Sequence, residues 1–245
     1  MLDGRLALVT GGSRGLGRAI ALKFAEDGAD VVITWSRRGA DGEATLAALR
    51  ATGRRAWGFQ VDVRDRDGIR AMVKTIEAEA GRPIDVLVNN AGHGQVVPLV
   101  LMEPEDWDRM IDVHVKGAFI VTQAVLRGMI KLGRGRVLNV GSLAGVKMMQ
   151  APVHYATVKA ALKGFTEALA KEIGRYGITV NCLAPGVLEE GVSSNLPENR
   201  REEYLRHCSL GRLGTVEEVA RVASFLASDA NSFMNGATVV VDGAV

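Results

Sequence analysis

Short apolar runs recur along the chain, each followed by a longer stretch in which apolar positions return every three or four residues. The short runs cover residues 6–9, 31–33, 56–61, 86–88, 136–140, 179–183 and 238–241 and are rich in β-branched side chains. Within them apolar residues follow one another instead of alternating with polar ones, the pattern of strands buried on both faces. The longer periodicity marks helices over residues 15–27, 67–80, 103–132 and 155–175. Strands and helices alternating in this way predict an α/β fold, a doubly wound parallel sheet of about seven strands flanked by helices. No Pro/Ser-rich linker, repeat or low-complexity tract interrupts the pattern, so residues 1–245 read as a single domain. In such folds ligands bind beyond the carboxyl ends of the strands, and the loops there carry the chemistry.

Composition narrows the picture. Hydrophobic residues make up 47% and charged residues 24%, a globular balance that excludes a disordered or fibrous chain. A net charge of +2 gives no field for nucleic acid or an acidic membrane, and no apolar run reaches membrane-spanning length. The two cysteines, Cys182 and Cys208, sit in neither a CxxC nor a metal spacing. A reducing, cytoplasmic setting without a metal centre is therefore expected.

The first strand runs into Thr10-Gly11-Gly12-Ser13-Arg14-Gly15-Leu16-Gly17, and a helix follows. Glycines let a backbone approach a ligand closely, and a helix N-terminus offers free N–H groups at its positive end. The turn suits a pyrophosphate, although a tight βα turn without a ligand has the same look. Further on, Tyr155 and Lys159 stand four residues apart and share a helix face. A nearby cation favours tyrosinate, which brings the phenol towards use as an acid or base.

These motifs continue in a fixed order. Asn89-Asn90-Ala91-Gly92 follows the fourth strand, Ser142 the fifth, and Pro185-Gly186 the sixth, and Val241-Asp242-Gly243 stands near the end. With the G-x-x-x-G-x-G spacing of the turn and the Y-x-x-x-K pair, the series resembles the short-chain dehydrogenases/reductases along nearly the whole chain. Residues 211–220, GRLGTVEEVA, are most similar to the 3-oxoacyl-carrier-protein reductases of that family.

The resemblance implies a Rossmann-type fold and reduction of a carbonyl to a secondary alcohol by NADP(H). Tyr155 would be the proton donor, Ser142 would hold the substrate oxygen, and Lys159 would bind the nicotinamide ribose. It also implies cofactor contacts from Gly11, Ser13, Arg14, Gly15, Leu16 and Gly17, from Asn89, Ala91 and Gly92, and from Pro185, Gly186 and Val187. Asp62 and Val63 resemble the pair that contacts adenine, and Asp62 also suits a helix N-cap. The second strand runs out into Thr34-Trp35-Ser36-Arg37-Arg38, with no carboxylate for a ribose 2′-hydroxyl. Arg14, Arg37 and Arg38 offer guanidinium groups to a 2′-phosphate, which favours NADP(H) over NAD(H).

Two positions depart from the family pattern. Histidine, His114, stands where the family carries a catalytic-site asparagine. It is expected to fill space and bond locally, with a proton relay as a second reading and a crippled site as a third. Glu190 replaces a threonine near the cofactor, so it is expected to point elsewhere, with Ser193 or Ser194 supplying the hydroxyl. His154 is read either as lining the substrate mouth or as a partly exposed residue at a helix start. His93 is placed at the border of the nicotinamide pocket.

Residues 187–214 read as a lid over the cofactor, with Arg200, Arg201 and Arg206 either attracting an acyl carrier protein or forming a solvated helix face. Met148 and Met149 are read as an adaptable apolar wall. Apolar residues on several faces of the helices 103–132 and 155–175 suggest a homotetramer, as is common in the family. Three readings remain open: reduction of a 3-oxoacyl thioester, reduction or oxidation of free ketones, alcohols or sugars, and NADPH binding without turnover.

Overall fold

The computed structural model describes residues 1–37, 39–192 and 196–245. Seven parallel strands form one sheet: β1 (Leu6–Val9), β2 (Asp30–Trp35), β3 (Ala56–Gln60), β4 (Val86–Asn89), β5 (Gly135–Val140), β6 (Ile178–Pro185) and β7 (Thr238–Val241). Their spatial order is β3-β2-β1-β4-β5-β6-β7, so the winding reverses between β1 and β4. That reversal opens a crevice beyond the strand ends, where a ligand is expected in such folds.

The helices are α1 (Gly15–Glu26), α2 (Gly39–Ala51), α3 (Arg66–Ala80), α4 (Pro104–Ile111), α5 (Gly117–Leu132), α6 (Val153–Ile173), α7 (Glu198–His207) and α8 (Val216–Ala227). Successive side chains of a strand face opposite sides of a sheet. Along β1, Ala7 and Val9 enter the core under α1, α2 and α8, and Leu6 and Leu8 enter the core under α3, α5 and α6. Both sets are apolar because both faces are covered, which is why these strands carry no polar alternation.

The expected strands and the helices near 15–27, 67–80 and 155–175 are present, with ends shifted by a few residues. The stretch 103–132 is not one regular helix. A π turn, Asp112–Lys116, separates α4 from α5. Gly117 just beyond it packs so tightly that a Cβ there would lie 2.6 Å from Val63 Cγ2. The wider turn lets one more residue face inward, and His114, 3% exposed, is the one buried there.

Residues 187–214 contain α7 and a small core of their own. Val187, Tyr204 and Cys208 pack with Leu143, and with Met149 at its edge. Met148 is fully exposed, so only one of the two methionines contributes to an apolar wall. This segment is pinned near residue 242 where the Tyr204 hydroxyl donates to Asp242 O at 2.7 Å.

Candidate active site

The glycine turn leads from β1 into α1. Gly11 and Gly15 hold positive φ angles of 63° and 52°, and a Cβ on Gly17 would sit 2.3 Å from Gly11 O. Thr10 Oγ1 donates to Val88 O at 3.2 Å and accepts from the N–H groups of Asn90 and Ala91 at 3.0 Å each. Asn90 Nδ2 donates to Thr10 O at 2.9 Å. The turn is thereby sewn to the loop after β4. Thr45 Oγ1 holds Ser13 O at 2.8 Å from the α2 side. The N-cap residue Arg14 makes no side-chain bond to the first turn of α1, whose N–H groups suit an anion.

Arg14 and Arg37 are exposed at this end of the sheet, and the β2 exit bears no carboxylate. Arg38, Ser193 and Ser194 lie outside the described residues. Asp62 is not the N-cap of α3. That role falls to Asp65, whose Oδ1 accepts from Gly68 N at 3.0 Å. Asp62 instead accepts from Arg64 Nε at 2.9 Å and Nη2 at 2.8 Å, and its carboxyl is held below the usual range mainly by that guanidinium.

Ser142 stands at the end of β5 and its Oγ accepts from Ala144 N at 3.2 Å. The turn it begins presses on α6, since a Cβ on Gly145 would lie 2.4 Å from the Lys159 carbonyl carbon. Tyr155 and Lys159 share one face of α6, with Nζ 5.7 Å from the phenol ring centroid. Lys159 Nζ donates to Val140 O at 2.8 Å. Burial lowers the lysine pKa to about 8. Burial raises the Tyr155 pKa, and a side-chain hydrogen bond with Ser142 opposes that rise. The net direction for the phenol is upward, and the group that opposes burial is Ser142, where the spacing had pointed to a lowering by Lys159.

His114 lies edge-on to Tyr155, with ring centroids 6.2 Å apart. Its Nε2 is 3.2 Å from His93 N and 3.0 Å from His93 O. Burial, and then the Lys159 cation, push its pKa well down, so the ring is neutral at neutral pH. His154 is buried at 1% exposure, which corrects the partly exposed reading. Its Nδ1 accepts from Tyr155 N at 2.8 Å, tying the start of α6 to the residue that carries the phenol.

Pro185, Gly186 and Val187 border the same crevice from β6. Gly186 is needed because a Cβ there would meet Tyr204 Oη at 2.2 Å. Val187 O accepts from Gly214 N at 3.2 Å. Glu190 is exposed, and its neighbour Gly191 lies beside the turn, with its Cα 3.4 Å from where a Cβ on Gly15 would stand. His207 is exposed, and its ring bonds Glu203 O at 2.9 Å. Among the described residues no three His, Cys, Asp or Glu side chains group as metal ligands, and no helix is long and apolar enough to cross a membrane.

Two features escaped the sequence reading. The Val140 carbonyl that holds Lys159 is main chain and leaves no signal in residue identity. Asn89, Thr122, Asn139 and Thr166 form a buried polar cluster behind the site. Asparagines within otherwise apolar strands were the available signal.

The short chain dehydrogenase family description matches residues 5–201. A 3-oxoacyl-(acyl-carrier-protein) reductase FabG from Pseudomonas aeruginosa is 41% identical, over 99% of this chain and 97% of that protein. The Escherichia coli protein of the same name is 39% identical, over 98% of this chain and 97% of that protein. Among solved structures, a gluconate 5-dehydrogenase from Burkholderia cenocepacia in complex with NADP and tartrate aligns with a TM-score of 0.93 and 37% identity, over 99% of this chain and 95% of that one. The glycine turn, the Ser142-Tyr155-Lys159 grouping and these full-length likenesses agree, and the chain belongs to the short chain dehydrogenase family.

Proposed function

We propose that this protein reduces the keto group of a 3-oxoacyl thioester, presented on an acyl carrier protein, to a secondary alcohol with NADPH. One observation supports the reading: Lys159 Nζ lies 5.7 Å from the Tyr155 ring centroid, and Ser142 acts on the same phenol. Relatives named for 3-oxoacyl reduction at about two-fifths identity support the substrate class.

Bound NADPH would supply the hydride. The residues of this chain supply the rest. The backbone of Gly11 to Gly17 and the first turn of α1 hold the pyrophosphate, and Arg14 with Arg37 and Arg38 answers the 2′-phosphate. Asp62 and Val63 border the adenine. Asn89, Ala91 and Gly92 shape the nicotinamide side. Ser142 donates to the substrate oxygen and keeps it beside Tyr155, which gives its phenolic proton to that oxygen as negative charge develops. Lys159 holds the ribose and stabilises the phenolate that remains.

A second reading, oxidation or reduction of a sugar acid or free ketone, is favoured by the likeness to the gluconate 5-dehydrogenase. NADPH oxidation measured with an acetoacetyl thioester against free ketones and keto sugar acids separates the two. Thioester turnover supports the proposal, ketone turnover alone overturns it, and cofactor binding without any turnover leaves only a nucleotide-binding protein. We place the enzyme in the cytoplasm, in keeping with two buried free thiols. A homotetramer is proposed from exposed apolar residues on α5 and before β7, Phe119 at 47% and Phe233 at 97% exposure, and light scattering tests it.

A further inference from the structure

Behind the catalytic grouping lies a cavity of about 10 Å³, lined by Thr10, Val63, Asn89, His114, Gly117 and Val140 among others. That volume is close to what one water molecule needs. Two of its lining residues, Asn89 and His114, are 6% and 3% exposed. Each has a buried polar atom without a protein partner, Asn89 Oδ1 and His114 Nδ1. A buried polar atom left unpaired costs on the order of 1–3 kcal/mol, and a polar cavity of this size commonly relieves that cost with water.

The surrounding hydrogen bonds have a direction. Asn89 Nδ2 donates to Thr122 Oγ1 and to Asn139 Oδ1, each at 2.9 Å. Asn139 Nδ2 donates to Thr166 Oγ1 at 2.9 Å, and Thr166 Oγ1 donates to Leu162 O at 2.8 Å. Both Asn89 amide hydrogens are thus donated away from the cavity, one to Thr122 on α5 and one through Asn139 towards α6, so Asn89 Oδ1 is left as a polarised acceptor that requires a donor.

At the other end, His114 Nε2 faces both His93 N and His93 O. A neutral imidazole offers one role at each nitrogen. If Nε2 carried the proton, it would satisfy the carbonyl and leave the His93 N–H without its acceptor. Unpaired N–H groups are rarer in folded proteins than under-used carbonyls. The Nδ1–H form satisfies the N–H and turns a donor towards Asn89.

We propose that one internal water occupies this cavity, accepts from His114 Nδ1–H and donates to Asn89 Oδ1. The water completes a one-way chain from the His93 N–H to the Leu162 carbonyl. The chain ties the loop after β4 to α6, three residues beyond Lys159. In this role His114 is a positioning residue in a fixed tautomer, and it carries no proton in the reaction. The link to turnover rests on the proposed role of Tyr155, whereas the water and the tautomer are read on the resting protein.

Nitrogen NMR of the ¹⁵N-histidine-labelled full chain tests the tautomer, with His114→Asn assigning the signal among the four histidines. The expected result is a neutral ring protonated at Nδ1, unchanged from about pH 6 to about pH 8, across the usual histidine range. A ring protonated at Nε2, or one that titrates in that interval, overturns the chain. A high-resolution crystal structure reads the water itself: one ordered water bonded to both atoms supports the proposal, and a dry cavity overturns it. For the positioning role, His114→Leu is expected to lower kcat about tenfold, the scale of one hydrogen bond. His114→Asn, which keeps a donor and an acceptor, is expected to recover most of that loss. A His114→Leu enzyme as fast as the parent overturns the positioning role whatever the substrate proves to be.

Discussion

Lys159 Nζ donates to the carbonyl oxygen of Val140 at 2.8 Å, which fixes the ammonium beneath Tyr155 by a main-chain group of the neighbouring strand. The lysine has no carboxylate beside it among the described residues, and burial lowers its pKa from 10.5 to about 8. A buried cation with one neutral acceptor is a cost to the fold that the reaction requires.

Lys159→Met is therefore expected to abolish turnover and to stabilise the free protein near neutral pH. A lysine with a lowered folded pKa binds fewer protons folded than unfolded between about 8 and 10.5. Stability of the parent thus rises with pH across that window, and the penalty is in full force below it. Its size is at most about 3.5 kcal/mol, at roughly 1.4 kcal/mol for each tenfold change in proton affinity. Urea unfolding of both proteins near neutrality and again near the upper end of the window checks this. The variant's advantage should shrink at the higher pH.

Tyr155→Phe removes the proposed proton donor and leaves the nucleotide turn alone. Turnover is expected to fall by about 10²- to 10⁴-fold, the usual contribution of a positioned acid. The affinity for NADPH, read by quenching of protein fluorescence, should stay within about twofold, because one hydroxyl at the far end of the cofactor contributes little to binding.

Arg14→Ala and Arg37→Ala each remove a guanidinium from the proposed 2′-phosphate site. Each is expected to weaken NADPH by roughly 10- to 100-fold, since hydrogen bonds to charged groups are worth about 1.5–3 kcal/mol. NADH, which lacks the phosphate, should be affected far less. Equal losses for both nucleotides would place the arginines elsewhere.

Gly92→Ala drives a methyl group into His114: the added Cβ would lie 2.4 Å from Cε1 and 2.9 Å from Nδ1. A loss of about 1–3 kcal/mol in stability is expected from the overpacking. The double variant Gly92→Ala with His114→Asn should recover part of it, because asparagine is smaller. A double-mutant cycle in thermal unfolding reads the coupling, and strict additivity would mean the two residues do not press on each other.

Much of this was legible in the chain itself. Apolar runs such as residues 86–88 gave the buried strands, and the four-residue spacing of Tyr155 and Lys159 gave their shared face, because both depend on the geometry of a single element. The histidine at 114 was visible as a departure, but its surroundings were not. The helical pattern runs through it without a break, and the π turn that carries it inward ends at Gly117, which packs against Val63. Asp62 suited a helix cap by its place in the chain, but in the fold its carboxylate pairs with Arg64 and Asp65 takes the cap.

Local spacing thus determined the elements, the glycine turn and the catalytic pair, since residues within one turn or one strand meet whatever the rest of the chain does. Tertiary structure decided the charge states and partners. Burial of Tyr155, Lys159 and His114, the Val140 carbonyl under the lysine and the His93 backbone against the imidazole join segments far apart in sequence. Desolvation and hydrogen bonding depend on which atoms surround a group in space, and no spacing along the chain encodes that.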